Sequence, residues 1–278
     1  MTSIGISRGW PWLAVSTALA LMAAGAFAQN RQPGQARQRF VPTDVGRNGV
    51  PEWQVDPAFK DDVFTFVRVK YDSSDGPNKW ATDYPDADLN LSYRLQQLTS
   101  LKVDPEGRIV ELTDPELFRY PFIYMIEPGG LHLSDDEAAC LRRYLLNGGF
   151  LLVDDFWGEA EYANFAAQLR RVFPDREPEE LPLEHPIFHC VYDLKTKPQI
   201  PGIGYAQMGI TFERRDAQTP HYKGLFDDKG RLMAVICHNT DLGDGWEREG
   251  EDPTYFREFS EKIAYPLGIN IIFHAMTH

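Results

Sequence analysis

The fold of this chain is decided by residues 122–155, which have the sequence FIYMIEPGGLHLSDDEAACLRRYLLNGGFLLVDD. The run FIYMI at the start and the run FLLV near the end have the composition of strands that are covered on both faces. Between them, Ser134 and Glu137 match a capping box, which predicts the start of a helix. Gly148 and Gly149 predict where that helix ends. A strand, a helix and a strand in this order form the βαβ unit of a parallel sheet.

The same alternation continues on both sides of this unit. Further strands are predicted at 63–69, 108–112 and 232–237, and further helices at 85–98, 159–172 and 254–267. Strands that alternate with helices of about ten to fourteen residues indicate a parallel sheet with helices on both faces. The sequence therefore predicts a three-layer, mostly parallel α/β domain.

The N-terminal residues 1–28 are predicted to form a cleavable secretory signal. Arg8 is their only charge, a largely apolar stretch follows, and residues 26–28 (Ala-Phe-Ala) place small side chains at −3 and −1 of the cleavage site. The apolar run is shorter than the ~20 residues that span a bilayer. We therefore expect an exported protein, periplasmic or extracellular, with no stable membrane span after cleavage. Residues 29–59 are predicted to be a flexible or partly docked linker, and residues 60–278 a single α/β domain.

The composition is strongly acidic. The chain has 41 acidic and 28 basic residues, a formal net charge of −13, and removal of the signal takes away only Arg8. An excess of acid argues against nucleic acid or anionic lipid as a partner, because both bind basic surfaces. The three cysteines, Cys140, Cys190 and Cys237, fit neither a metal motif nor a disulfide scaffold. One pair could bridge in an oxidising periplasm, or all three could be buried thiols.

Four motifs connect the chain to known families. They are WATDYPDAD at 80–88, GGFLLVDD at 148–155, HPIF at 185–188 and HNTDLGDGWE at 238–247. On these motifs the chain is similar to the bacterial family called domain of unknown function 4159, from about Asp62 to the C-terminus. Its strand–helix–strand unit resembles the class I glutamine amidotransferase-like superfamily. The resemblance implies a flavodoxin-like sheet with helices on both faces, and the family brings no assigned activity.

The turn after residue 153 corresponds to the position of the catalytic nucleophile in the superfamily that the chain resembles. In the amidotransferase-like superfamily this turn carries a nucleophilic Cys, whereas this chain has Asp154 and Asp155 there. The pair Cys237-His238 resembles the Cys-His elbow of other members, but it follows a strand that comes too late in the chain. We interpret Cys237 as a buried, apolar thiol.

Three polar loops follow predicted strands, and each contains carboxylates and a tryptophan. The carboxyl ends of parallel strands meet at one sheet edge, where open α/β sheets bind their ligands. The loops supply the candidate ligand-binding residues Trp80, Asp83, Asp86, Asp88, Asp154, Asp155, Trp157, His238, Asn239, Asp241, Asp244, Trp246 and Glu247. Among basic residues only Arg248 adjoins these loops. The alternative is that the acids cap helix N-termini and that the tryptophans pack under loops.

Carboxylates beside aromatic rings suit sugars, whose hydroxyls donate to the acids, and they also suit a hard divalent cation such as Ca²⁺. We expect a non-catalytic exported domain that binds a small ligand, a glycan or an envelope protein. No cofactor or metal site is predicted, although a divalent cation would suit the carboxylates. The alternative function is a hydrolase that uses Asp154 or Asp155 at the turn with His238 as a helper.

Overall fold

In a computed structural model of the chain, the described residues are Arg47, 49–59 and 62–278. The predicted signal, residues 1–28, and the first part of the predicted linker lie outside them. Among the described residues no helix combines the length and the apolar character that crossing a membrane requires.

The end of the predicted linker contacts the domain through one aromatic side chain. Trp53 Nε1 donates a hydrogen bond of 2.7 Å to the carbonyl oxygen of Val103, and the Trp53 and Tyr93 ring centroids are 5.7 Å apart. Phe59, in contrast, is exposed.

The described part of the chain contains nine strands. In chain order they are β1 (Val67–Lys70), β2 (Asp72–Ser73), β3 (Arg108–Glu111), β4 (Phe122–Ile126), β5 (Leu131–His132), β6 (Phe150–Asp154), β7 (Glu179–Glu180), β8 (His221–Phe226) and β9 (Leu232–His238). Seven of them form one sheet in the order β3-β1-β4-β6-β9-β8-β7, and β2 pairs with β5 in an antiparallel ribbon. Within the large sheet β8 is antiparallel to both of its neighbours, and the other pairs are parallel.

The helices include those predicted from the alternation and two short ones that were not predicted, at 203–207 and at 242–247, where a polar loop was expected. They are α1 (Asp86–Leu98), α2 (Asp135–Leu146), α3 (Gly158–Val172), α4 (Ile203–Gln207), α5 (Leu242–Glu247), α6 (Pro253–Tyr255) and α7 (Tyr265–Thr277). A π-helical segment, Phe256–Ala264, joins α6 to α7. The predicted helix 254–267 therefore continues ten residues further than expected, because the sequence after it stays largely apolar and contains no proline.

The sheet is covered on both faces. Phe66, Tyr124 and Leu152 belong to a core that includes side chains of α1 and α7. Val67 and Ile123 belong to a second core with side chains of α2 and α3. Every residue of β4 and β6 is buried, as the two continuous apolar runs predict. The prediction of a mostly parallel α/β sheet with helices is confirmed.

The βαβ unit at the centre of the sheet is built as its local sequence predicts. Ser134 Oγ accepts a hydrogen bond from the backbone N–H of Glu137, and Glu137 Oε2 accepts one from the backbone N–H of Ser134. At the other end of α2, a Cβ on Gly149 would lie 2.4 Å from the Tyr144 ring, so only glycine fits. The capping box and the glycine stop thus place β6, and with it Asp154 and Asp155.

Candidate functional site

A cleft of about 420 Å³ opens where the parallel strands β1, β4, β6 and β9 end. Its acidic lining residues are Asp75, Asp83, Glu127, Asp155, Glu161, Glu213, Asp241 and Asp244, and its basic ones are Lys79, Arg214 and Arg248. Trp157, Ile203 and Tyr205 add apolar surface. The volume lies in the range of small-molecule sites.

Three of the lining acids sit on left-handed backbone. Among the described non-glycine residues, positive φ angles occur at Asp83 (61°), Glu127 (48°), Asp155 (54°) and Asn239 (62°). Such a conformation costs on the order of 1 kcal/mol or more and is concentrated at functional sites. The Tyr71 hydroxyl supports one of these turns, since its oxygen lies 2.7 Å from the carbonyl oxygen of Glu127. The sharp turns direct the side chains at the strand ends into one cleft.

Asp155 is 7 % exposed and follows β6 directly. Its Oδ1 accepts a hydrogen bond of 2.8 Å from Trp157 Nε1, while no described residue donates to its Oδ2. Burial raises the pKa of the Asp155 carboxyl well above its ordinary value, and the nearby charges of Glu127 and Asp83 raise it further.

Asp241 has the same character at the end of the neighbouring strand β9. It is 5 % exposed, and its Oδ1 accepts a hydrogen bond of 2.7 Å from the backbone N–H of Asp244, which caps α5. No described residue donates to its Oδ2. Burial raises the pKa of Asp241 well above the ordinary range, and the charges of Asp155 and Asp244 add to that effect. The cleft therefore contains two buried carboxylates, each with one unpartnered oxygen.

Asp83 is the third acid without a charged partner. Its Oδ2 is inaccessible to solvent and has no hydrogen-bond donor, and a Cβ on Gly243 would lie 2.4 Å from it. Burial raises the pKa of Asp83 well above its ordinary value, followed by the charges of Glu247 and Asp244. Carboxylate oxygens of Asp83, Asp244 and Glu247 lie within 4.8 Å of one another, a spacing that could hold a metal ion. Arg248 Nε already lies 2.9 Å from Asp244 Oδ1 and 2.8 Å from Glu247 Oε2.

The basic residues of the cleft are each paired with an acid. Lys79 pairs with Glu127, Arg214 with Glu161, and Arg248 with Asp244. The expectation that Arg248 alone adjoins the acids is wrong, because Lys79 lies just before the first loop and Arg214 comes from a segment remote in sequence. Within the described part of the chain, no basic side chain lies at ion-pair distance from Asp83, Asp155 or Asp241.

The model of the family "Domain of unknown function (DUF4159)" matches residues 65–276. The chain belongs to this family. No match was found among curated proteins. The family description assigns no activity to the DUF4159 domain.

Of the thirteen predicted site residues, five line the cleft of this DUF4159 domain: Asp83, Asp155, Trp157, Asp241 and Asp244. Glu247 lies beside two of them, and Asp86 is in the first turn of α1. The structure places the others in the core or under the loops. Trp80 and Trp246 are 1 % and 0 % exposed, and Trp246 Nε1 donates to the carbonyl oxygen of Ala264.

Two of the predicted aspartates hold the fold. Asp88 is 2 % exposed and pairs with the fully buried Arg68. Asp154 Oδ2 accepts hydrogen bonds from the Tyr124 hydroxyl (3.1 Å) and from the backbone N–H of Gly243 (2.9 Å). Burial raises the pKa of Asp154 to about 7. Asp154 thus links β6 to β4 and to the start of α5.

His238 and Asn239 brace the start of α3 and do not line the cleft. His238 Nε2 is 3.1 Å from the carbonyl oxygen of Gly158, and burial lowers the pKa of His238 to about 4. Asn239 Oδ1 accepts a hydrogen bond of 2.8 Å from the backbone N–H of Gly158. Cys237 is 0 % exposed, which confirms the prediction of a buried thiol. The three cysteines are free, and Cys190 is exposed, so the alternative of three buried thiols is wrong.

Four cleft carboxylates lie outside the predicted residues, namely Asp75, Glu127, Glu161 and Glu213. Glu127 directly follows the apolar run of β4, so the rule that selected Asp155 after β6 would also have found it. Glu161 lies within α3 and accepts a hydrogen bond of 2.7 Å from the backbone N–H of Trp157. Glu213 comes from an irregular segment and accepts one of 2.9 Å from the backbone N–H of Gly202. No sequence signal distinguishes Glu161 and Glu213 from ordinary surface glutamates.

Proposed function

We propose that this protein is an exported, non-catalytic α/β domain that binds a small, positively charged ligand in its acidic cleft. The observation that carries the proposal is the pair Asp155 and Asp241. Both carboxylates line the cleft, both are more than nine-tenths buried, and each keeps one oxygen without a donor among the described residues.

The electrostatics of the cleft support a positive ligand. Burying carboxylates without a cation is unfavourable, and placing them near one another adds repulsion. Burial and the neighbouring negative charges both raise the pKa values of Asp83, Asp155 and Asp241. A cation that enters the cleft removes the repulsion and binds the folded state preferentially.

The topology supports a flavodoxin-like arrangement with a ligand at this edge. In the strand order β3-β1-β4-β6, the connection after β1 leads to one side and the connection after β3 returns to the other. Ligands of open α/β sheets bind at such a reversal, outside the carboxyl ends of the strands. The acids that follow β1 and β4, Asp83 and Glu127, both line the cleft. Export itself rests on the signal pattern of residues 1–28.

The hydrolase alternative finds no support in the geometry. A helper histidine must come within hydrogen-bond reach of the reacting groups. The His238 ring packs at a tilt against Phe156 and Tyr162, with centroid distances of 4.9 and 4.8 Å, and its Nε2 lies 3.1 Å from the carbonyl oxygen of Gly158. It does not line the cleft that Asp155 faces.

Thermal unfolding with charged probes tests the proposal. We expect millimolar Ca²⁺ or 1,4-diaminobutane to raise the melting temperature of the mature protein by mass action, and the neutral 1,4-butanediol to leave it unchanged. Asp155→Asn should remove much of the increment, because Asn keeps the shape of the side chain and loses its charge. Glu116→Gln, at an exposed acid in the turn before β4, is the matched control. The proposal fails if neither cation exceeds the diol, or if Asp155→Asn responds like the unmodified protein.

A further inference from the structure

The chemical class of the ligand can be inferred from the same cleft, and this inference rests on the proposed function. We propose that the ligand is an organic dication, with one ammonium group on Asp155 and the other on Asp241. Asp155 directly follows β6, Asp241 lies three residues after the neighbouring parallel strand β9, and both line the cleft.

Asp155 and Asp241 belong to no group of three described carboxylates that lie close enough together to share a metal ion. A divalent ion such as Ca²⁺ gathers six to eight oxygens around one point. Among the described residues, Asp83, Asp244 and Glu247 form the one group of three carboxylates within 4.8 Å of one another. Arg248 already forms ion pairs with two of these three acids, Asp244 and Glu247. The one described group of converging carboxylates therefore already has a cation from the protein, the guanidinium of Arg248.

The size and lining of the cleft suit a molecule with a short apolar segment between its charges. A volume of about 420 Å³ far exceeds the space of a single ion. Trp157 lies beside Asp155, to which its ring N–H donates, and Ile203 and Tyr205 also line the cleft. Aromatic rings attract ammonium groups, and the methylenes of an alkyl diamine cover apolar surface.

The hydrogen-bonding groups of the cleft and of a diamine match. Each carboxylate oxygen left free on Asp155 and Asp241 is an acceptor, and an ammonium group carries three donors and no acceptor. Bonds of this kind are short and roughly twice as strong as neutral ones. The basic side chains of the cleft, Lys79, Arg214 and Arg248, are already engaged with other acids. Asp83 Oδ2 also lacks a donor but is inaccessible to solvent, so Asp155 and Asp241 are the two positions left for positive groups from outside.

Isothermal titration calorimetry at low ionic strength tests the inference with four probes: 1,4-diaminobutane, 1-aminobutane, 1,4-butanediol and Ca²⁺. We expect the diamine to bind at least about tenfold more tightly than the monoamine, because the second charged contact adds the equivalent of a tenfold change in Kd or more. Asp155→Asn and Asp241→Asn should each reduce diamine binding to the level of the monoamine. Asn tolerates the left-handed backbone at position 155 and retains the helix cap at position 241, so both variants should fold.

Each outcome separates the inference from the proposed function. Equal affinities for diamine and monoamine, or diamine binding that survives both substitutions, would overturn the two-point inference. Tighter binding of Ca²⁺ than of the diamine, lost in Asp155→Asn, would also overturn it and leave the proposed function standing. If no cation binds through Asp155 or Asp241, both proposals are wrong. Glu116→Gln should match the unmodified protein throughout.

Discussion

Two buried aspartates of this domain, Asp88 and Asp155, have opposite surroundings. Asp88 is 2 % exposed and accepts hydrogen bonds from Arg68 at 2.5 to 3.1 Å, while Arg68 also donates to the carbonyl oxygens of Trp80 and Thr82. Asp155 is 7 % exposed, has no cation at ion-pair distance among the described residues, and lines a cleft.

The presence or absence of a buried cation separates an acid that stabilises the fold from an acid that is available to a ligand. Both types occur in loops at the same sheet edge, and burial alone does not distinguish them. A buried carboxylate that has its own arginine is fully compensated within the fold. A buried carboxylate without one raises the free energy of the folded state until a ligand supplies the charge. The missing partner, rather than the acid itself, marks the site.

The largest effect is expected at the compensated acid. Asp88→Asn leaves the fully buried guanidinium of Arg68 without a counter-charge, which should lower the free energy of unfolding by about 3–5 kcal/mol. Urea denaturation measures the loss. The double variant Arg68→Met, Asp88→Leu removes both charges and should lose less than the single variant. A loss below about 1 kcal/mol for Asp88→Asn would show that the ion pair with Arg68 does not stabilise the fold. Asp88 would then not be a structural acid, and its contrast with Asp155 would be wrong.

Some features of the fold and of the cleft could be predicted from the sequence. The βαβ unit was predictable because its signals are local: a capping box, a pair of glycines and two apolar runs set the ends of α2, β4 and β6. The prediction that acidic loops meet at one edge follows from strand direction alone, and Asp83, Asp155 and Asp241 do line one cleft.

The sequence did not predict that Asp83 lines the cleft whereas Asp88 pairs with Arg68 in the core. They are five residues apart, and only the packing of α1 on the sheet decides that Asp88 meets Arg68 on β1. One signal was present, since Arg68 interrupts an apolar strand and a charge buried there requires a partner. Strand β8 was missed because it mixes polar and apolar residues and is antiparallel, with partial exposure.

The second expected effect is a dependence of stability on pH. The pKa values of Asp154 and Glu247 are raised to about 7, mainly by burial. Between their ordinary values and pH 7, the folded state holds protons that the unfolded state has released, so the free energy of unfolding falls as pH rises. The buried His238 and His274, with pKa values lowered to about 4, act in the opposite direction only below about pH 6.5.

We therefore expect a higher melting temperature at pH 6.5 than at pH 8, with a gain of about 1–2 kcal/mol in the free energy of unfolding. Below pH 6.5 the gain should level off as the unfolded state begins to protonate its histidines. Thermal melts across this range measure the effect, and Glu247→Gln should reduce the slope. A melting temperature that is constant or increases from pH 6.5 to pH 8 would contradict the raised pKa values of Asp154 and Glu247.

The smallest expected effect has the opposite sign to the first. In the ligand-free protein, Asp155→Asn should raise the free energy of unfolding by about 1 kcal/mol, because it removes one charge from the repulsion with Glu127 and Asp83. The Asn amide oxygen can still accept from Trp157 Nε1, and Asn is among the residues that most readily adopt the positive φ found there. Paired denaturation curves with Glu116→Gln, which should stay within about 0.5 kcal/mol, provide the reference. If Asp155→Asn were destabilising like Asp88→Asn, then Asp155 would hold the fold as Asp88 does, and its free oxygen would not mark a binding site.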